Sequence, residues 1–167
     1  MNQVTLRAME PEDLDLLYRI ENDPELWGVS ATNVPYSRYT LHDYIAQSAG
    51  NIYVDGQVRL MIENAGREVV GIADVVCFDA KNLRAEVGLV IERAHRRHGY
   101  ATQALAQIMD YSLRVIHLHQ LYAFVPVDNQ PSLALFSHAG FTHGSTVKDW
   151  LFDGHSYIDA LLMQKML

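Results

Sequence analysis

Residues 96–102 read Arg-Arg-His-Gly-Tyr-Ala-Thr, and they place two guanidinium groups and an imidazole directly before a glycine. The surrounding chain is acidic, with 20 Asp and Glu against 13 Lys and Arg and a formal net charge of -7. A helix opening at Gly99, just after a strand, would point several unpaired backbone N–H groups and the positive end of its dipole at one spot. Such a spot suits phosphate. Gly99 lets a backbone approach a ligand with no side chain in the way, Ala101 is nearly as small, and Arg96 and Arg97 add donors for charged oxygens. The glycine-rich nucleotide motifs GxGxxG and GxxxxGK followed by Ser or Thr are absent.

The elements that must position this turn are legible from periodicity. Residues 84–92 read as a strand. From Gly99 the period changes from two to about 3.6, with Ala101, Leu105, Ile108, Met109, Ser112 and Ile116 on one stripe. Residues 121–127 then read as a strand, so strand, helix and strand form a right-handed crossover with the two strands parallel. Upstream, residues 4–8 alternate as a short strand. A helix follows Pro11, with Leu14, Leu17 and Tyr18 at helical spacing. Residues 23–40 read as a loop rich in aromatic side chains, and a second helix covers about 41–49. "RLMIENA" and "EVVGIADVVCFDA" form a meander with the strand from residue 84. Residues 130–140 make a short helix closed by Gly140 as a left-handed cap, and two strands around Asp153 and Gly154 end the chain.

Composition sets the class. The 167 residues, 49% hydrophobic and 20% charged, fit one globular domain over 1–167. No stretch gives about 18 uninterrupted apolar residues, so no membrane span is expected. Excess acidity argues against a nucleic-acid partner. Cys77 is the single cysteine, which excludes an intrachain disulfide and suits a cytoplasmic location; its apolar strand predicts a buried, inert thiol. His117 and His119 have no third ligand at metal spacing, so no metal is expected. Met109, Met163 and Met166 read as core filler.

Arg96-x-x-Gly99-x-Ala101, following "AEVGLVIE", resembles the pyrophosphate-binding motif of the GNAT acetyltransferases, Gln or Arg-x-x-Gly-x-Gly or Ala. Asn129, Ser132 and the Gly140-Phe141 pair in "NQPSLALFSHAGF" resemble the second cofactor helix of that family. The order of elements from residue 4 to 166 matches too. The resemblance implies a mixed α/β (α+β) fold: a mostly antiparallel sheet of about seven strands with one splayed parallel pair, flanked by about four helices.

It also implies acetyl-CoA as co-substrate. Leu89, Val90 and Ile91 would pair with the pantetheine arm. Backbone amides across Arg97, His98, Gly99, Tyr100, Ala101 and Thr102 would receive the pyrophosphate, with Arg96 beside them. Asn129, Ser132 and Phe136 would complete the cofactor site. An amine with a pKa near 10 is protonated at neutral pH and needs a proton acceptor; Glu86, on the strand facing the thioester, is the candidate base. The family often keeps a Tyr as general acid where this chain has Phe136, which carries no proton to give. Either the thiolate leaves without such a donor, or Tyr157, Ser137 or an ordered water takes the role. Glu21, Asp23, Glu25, Trp27 and Tyr36 would line the acceptor cleft. The acceptor implied is a polyamine such as spermidine, with a ribosomal-protein N-terminus or an amino sugar as alternatives, and a non-catalytic CoA-binding module as a rival class. Pairing into a homodimer or higher homo-oligomer is in keeping with the family.

Overall fold

The computed structural model describes residues 3–27 and 34–167. Seven strands form: β1 (Val4–Ala8), β2 (Val58–Asn64), β3 (Val69–Asp79), β4 (Arg84–Ile91), β5 (Gln120–Pro126), β6 (Thr142–Phe152) and β7 (Tyr157–Met166). They form one sheet in the order β1-β2-β3-β4-β5-β7-β6. Every adjacent pair is antiparallel except β4 and β5. The mixed seven-stranded sheet and its parallel pair are as the sequence predicts.

Six helices lie among the described residues: α1 (Leu14–Glu21), α2 (Pro24–Trp27), α3 (Arg38–Gln47), α4 (Ile52–Asp55), α5 (Tyr100–Arg114) and α6 (Gln130–His138). About four were expected. The two additional ones, α2 and α4, are single turns of four residues, too short to show a 3.6-residue period. Helix α3 begins three residues before the expected start because the Ser37 hydroxyl caps it, accepting the Thr40 N–H at 3.0 Å. Of the loop expected over 23–40, residues 28–33 lie outside the described residues. Its two ends are tied by a reciprocal pair of bonds: Tyr36 N–H donates to Asn22 Oδ1 at 2.7 Å, and Asn22 Nδ2 donates to the Tyr36 carbonyl at 3.0 Å.

Each face of the sheet buries its own cluster. On one, Val75, Ala85, Val87, Leu121 and Ala123 pack beneath Ala104, Leu105 and Ile108 of α5; burying a side chain such as Leu105 fully stabilises by about 1.5–3 kcal/mol. On the other, Met61, Ile72 and the partly buried Val90 meet Leu16, Leu17 and Ile20 of α1 and Leu41 of α3. Gly140, at φ +84, follows the end of α6 as the expected left-handed residue.

Two core expectations fail. Cys77 is exposed, because β3 carries a bulge between Val76 and Asp79 and Cys77 sits there at φ +53. Met163 is fully buried and Met109 packs partly buried against the core, but Met166 is 51% exposed, at the end of the last strand. Among the described residues, no helix is long and apolar enough to cross a membrane.

Candidate active site

The site begins where two strands stop pairing. The register of β4 and β5 runs Arg84↔Gln120, Ala85↔Leu121, Glu86↔Tyr122 and then ends, although β4 continues to Ile91 and β5 to Pro126. Leu89, Val90 and Ile91 still pair with β3 on their other side. A wedge therefore opens beside them toward the end of β4. Gly71 opposite Ile91 permits the close approach of β3, since a Cβ there would lie 2.2 Å from the Val90 carbonyl oxygen.

The 96–102 turn closes the wide end of the wedge. Arg97 at φ +65 and Gly99 at φ +78 are both left-handed, a conformation from which backbone N–H groups build anion-binding concavities. A Cβ on Gly99 would meet nothing within 4 Å, so the conformation rather than crowding demands glycine. The first helical bond of α5 is the Gln103 N–H to the Gly99 carbonyl, at 3.3 Å. The amides of Tyr100, Ala101 and Thr102 precede it, and amides so placed in any helix are available to an external acceptor. Arg96 Nε donates to the Ile91 carbonyl at 3.1 Å and anchors the turn to β4. The His98 ring stacks on Tyr100 with centroids 5.5 Å apart.

Glu86 lies at the vertex. Its half-buried carboxyl is pushed above the usual carboxylate range by burial, and is drawn partly back by hydrogen bonds from the Cys77 thiol and the Phe124 backbone N–H. It does not pair with Arg84, which instead contacts Asp79 at 3.1 Å. Tyr122 stands beside it, its phenol pushed up in pKa by burial and by the neighbouring Cys77 and Glu86. Tyr122, Phe124 and the half-exposed Trp150 form an aromatic row, with centroids 5.8 and 5.2 Å apart. Sequence reasoning missed this row. The period of two in "LYAFVPV" could have found it, because Leu121, Ala123 and Val125 are buried and the residues between them must face the other way.

Other residues singled out in the sequence take more structural positions. Asn129 caps α6, its Oδ1 accepting the Ser132 N–H at 3.2 Å. Phe136 is buried, edge-on to Phe141 at 4.9 Å. Ser137 Oγ lies 3.1 Å from His143 Nε2, and the Tyr157 ring packs at 5.2 Å on Phe152, near the β6–β7 turn.

The acidic cluster around α1 and α2 is largely neutralised. Arg59 contacts Glu21 at 2.5 Å and Asp74 through two bonds of 2.8 and 2.9 Å. Glu25 meets Arg93 at 3.4 Å. Asp23 Oδ1 accepts the Glu25 N–H, and the Trp27 indole N–H donates to the Glu21 carbonyl. Between this cluster and the end of β4 lies a cleft of about 270 Å³, with Arg19, Ile20, Asp23 and Leu26 on one wall and residues 90–94 with Arg96 on the other. Among the described residues, no group of three His, Cys, Asp or Glu side chains is placed to hold a metal.

Known proteins share this fold. The acetyltransferase (GNAT) domain model matches residues 3–142. The spermidine N(1)-acetyltransferase of Vibrio cholerae serotype O1 is 24% identical over 154 residues, 92% of this chain and 87% of that protein. The N-acetyltransferase p20 of Bacillus licheniformis is 28% identical over 151 residues, 89% of this chain and 84% of its own. Among solved structures, the spermidine N-acetyltransferase from Vibrio cholerae in complex with CoA and spermine superposes with a TM-score of 0.88 at 24% identity, covering 98% of this chain and 95% of that one. The chain belongs to the GNAT acetyltransferase family. It is an acyltransferase with acetyl-CoA as its co-substrate.

Proposed function

We propose that this protein acetylates a primary amine of a polyamine such as spermidine, by direct attack in a ternary complex with Glu86 as base. One observation carries the reading: a carboxyl whose pKa is raised by burial lies where β4 and β5 part, opposite the turn before α5. The amine class rests on the similarity to a spermidine acetyltransferase across 92% of the chain.

Acetyl-CoA, when bound, supplies an acetyl thioester. The residues present fit it. The outer edge of Leu89, Val90 and Ile91 offers backbone groups to the pantetheine arm. The amides across Arg97, His98, Gly99, Tyr100, Ala101 and Thr102 offer donors to the pyrophosphate, with the Arg97 guanidinium adding charge. Asn129 and Ser132, at the start of α6, would flank the arm, and Phe136 supports that helix from the core. Glu86, once ionised, takes a proton from the acceptor ammonium, which frees the nitrogen lone pair for the carbonyl carbon. Of the acidic residues expected at the acceptor cleft, Asp23 lines it and is the one left to attract a cation, since Glu25 meets Arg93; Trp27 and Tyr36 would extend its walls. Glu21 serves Arg59.

One seven-stranded sheet from β1 to β6 supports a single domain over 1–167. The exposed edge strand β6, with Trp150 and Phe152 each 52% exposed, supports self-association into a homo-oligomer. A lone cysteine suits a cytoplasmic location.

The test is release of free thiol from acetyl-CoA with spermidine, an amino sugar and a short ribosomal-type peptide as acceptors. Turnover with spermidine above the other two supports the reading. Preference for the peptide or the sugar overturns the acceptor class. Tight CoA binding with no release from any amine points to a non-catalytic module.

A further inference from the structure

Cys77 occupies a position that strand chemistry does not explain. Between the pairs Val76↔Glu86 and Asp79↔Arg84, β3 places two residues, Cys77 and Phe78, opposite the single Ala85. Phe78 packs into the core beneath the sheet with Ala85, so Cys77 is the inserted residue. Strict alternation after Val76 would turn Cys77 into that core. The bulge instead leaves it exposed and sets its thiol against the Glu86 carboxylate. Bulges re-aim side chains and recur beside active sites. This one holds a non-glycine residue at φ +53, which costs about 1 kcal/mol and persists only where the surroundings fix it.

The groups that act on Glu86 come from both neighbouring strands, the Cys77 thiol on β3 and the Phe124 N–H on β5, with Tyr122 of β5 beside them and Asp79 and Arg84 around Tyr122. Arg84 and Asp79 are occupied with each other. Two donors therefore hold the carboxylate, the Phe124 amide from the open side of the wedge and the Cys77 thiol from behind.

We propose that Cys77 is a positioning residue for acetyl transfer: its thiol, swung out by the β3 bulge, donates to Glu86 and holds that carboxylate at the mouth of the wedge. The role rests on Glu86 being the base, and the test separates the two. A thiol donating to the carboxylate favours its ionised form, and the carboxylate in turn disfavours the thiolate.

Four proteins decide it: wild type, Cys77→Gly, Cys77→Ser and Glu86→Gln. Glycine accepts φ +53 without strain, so Cys77→Gly removes the donor while sparing the backbone. The acid limb of kcat/KM for spermidine is expected to move to higher pH in Cys77→Gly, by about half a unit for a weak S–H donor. In Cys77→Ser a hydroxyl restores the limb, and the KM for acetyl-CoA stays as in wild type throughout. Independently of any acceptor, alkylation of the single thiol by iodoacetamide near pH 8 is expected to run several-fold faster in Glu86→Gln, because the thiolate no longer faces a carboxylate. If Glu86→Gln abolishes the limb but Cys77→Gly leaves it in place, the positioning role fails while the base stands. If Glu86→Gln keeps the limb, both fail. Equal alkylation rates in wild type and Glu86→Gln overturn the contact itself.

Discussion

The Glu86 carboxylate accepts the backbone N–H of Phe124 just past the last residue pair joining β4 to β5. Further along a regular parallel ladder, β4 would supply the partner for that N–H; here the strands have parted and a side chain takes the place of the backbone. One group thus satisfies the amide exposed by the opening and supplies a proton acceptor inside it. A carboxyl of lifted pKa is better matched to taking a proton near neutral pH than an exposed Glu.

Glu86→Gln is expected to lower kcat/KM by about 10²-fold or more, the usual contribution of a positioned base, and to abolish its rise with pH. Stability should move the other way. The folded-state pKa of Glu86 is raised above its unfolded value, so its contribution is fully present below the unfolded pKa and is lost as pH rises through the folded one. Gln does not titrate. The melting temperature of Glu86→Gln relative to wild type should therefore climb between pH 4 and pH 8. A difference that stays flat across that interval would show that Glu86 ionises as freely as in the unfolded chain.

Gly99→Ala isolates the turn before α5. Nothing lies within 4 Å of the added Cβ, but φ is +78, so the cost is conformational and on the order of 1 kcal/mol. The methyl group also enters the corner proposed for the pyrophosphate. Calorimetry should find CoA bound about ten-fold more weakly, equivalent to ~1.4 kcal/mol. Undiminished affinity in a folded Gly99→Ala protein would move the anion site elsewhere.

The middle of the chain was legible because its signals are local. Leu105, Ile108 and Ser112 announce one face of α5 by spacing alone, and Gly99 and Gly140 both stand where φ is positive. What stayed hidden depends on partners distant in sequence. Glu21 reads as an acidic helix end until β2 brings Arg59 beside it, 38 residues away. Cys77 reads as a core residue because "VVCF" is apolar without a Gly or Asn to announce left-handed backbone, and the bulge that exposes it exists only against β4. Asn129 reads from the sequence as a cofactor contact, and the structure adds that its oxygen caps α6.

Arg59 joins two carboxylates at the junction of α1 with the sheet. Its pKa is raised: burial opposes the charge, but the hydrogen bond and charge of Asp74 and the charge of Glu21 outweigh it. Removing the cation leaves two poorly solvated anions facing each other. Arg59→Met should cost about 3 kcal/mol in denaturant unfolding, in line with breaking a buried pair from one side. Glu21→Gln should cost less, since Asp74 still holds Arg59 through two bonds, and should leave the KM for spermidine unchanged. A large rise in that KM with stability intact would return Glu21 to the acceptor cleft.

Ser112 closes the apolar face of α5. It is fully buried, and among the described residues its Oγ has no hydrogen-bond partner. A buried hydroxyl left unpaired costs about 1–3 kcal/mol, and alanine is also the better helix former. Ser112→Ala loses only one oxygen from the packing, so the expected result is a gain of about 1 kcal/mol, read as a melting temperature higher by about 3 °C for a chain of this size. Acetyl transfer should be unaffected, since Ser112 lies in the helix interior, well past the turn at Gly99. Loss of stability in Ser112→Ala would mean that the hydroxyl is satisfied in solution, by a buried water bridging it to α5 or the sheet.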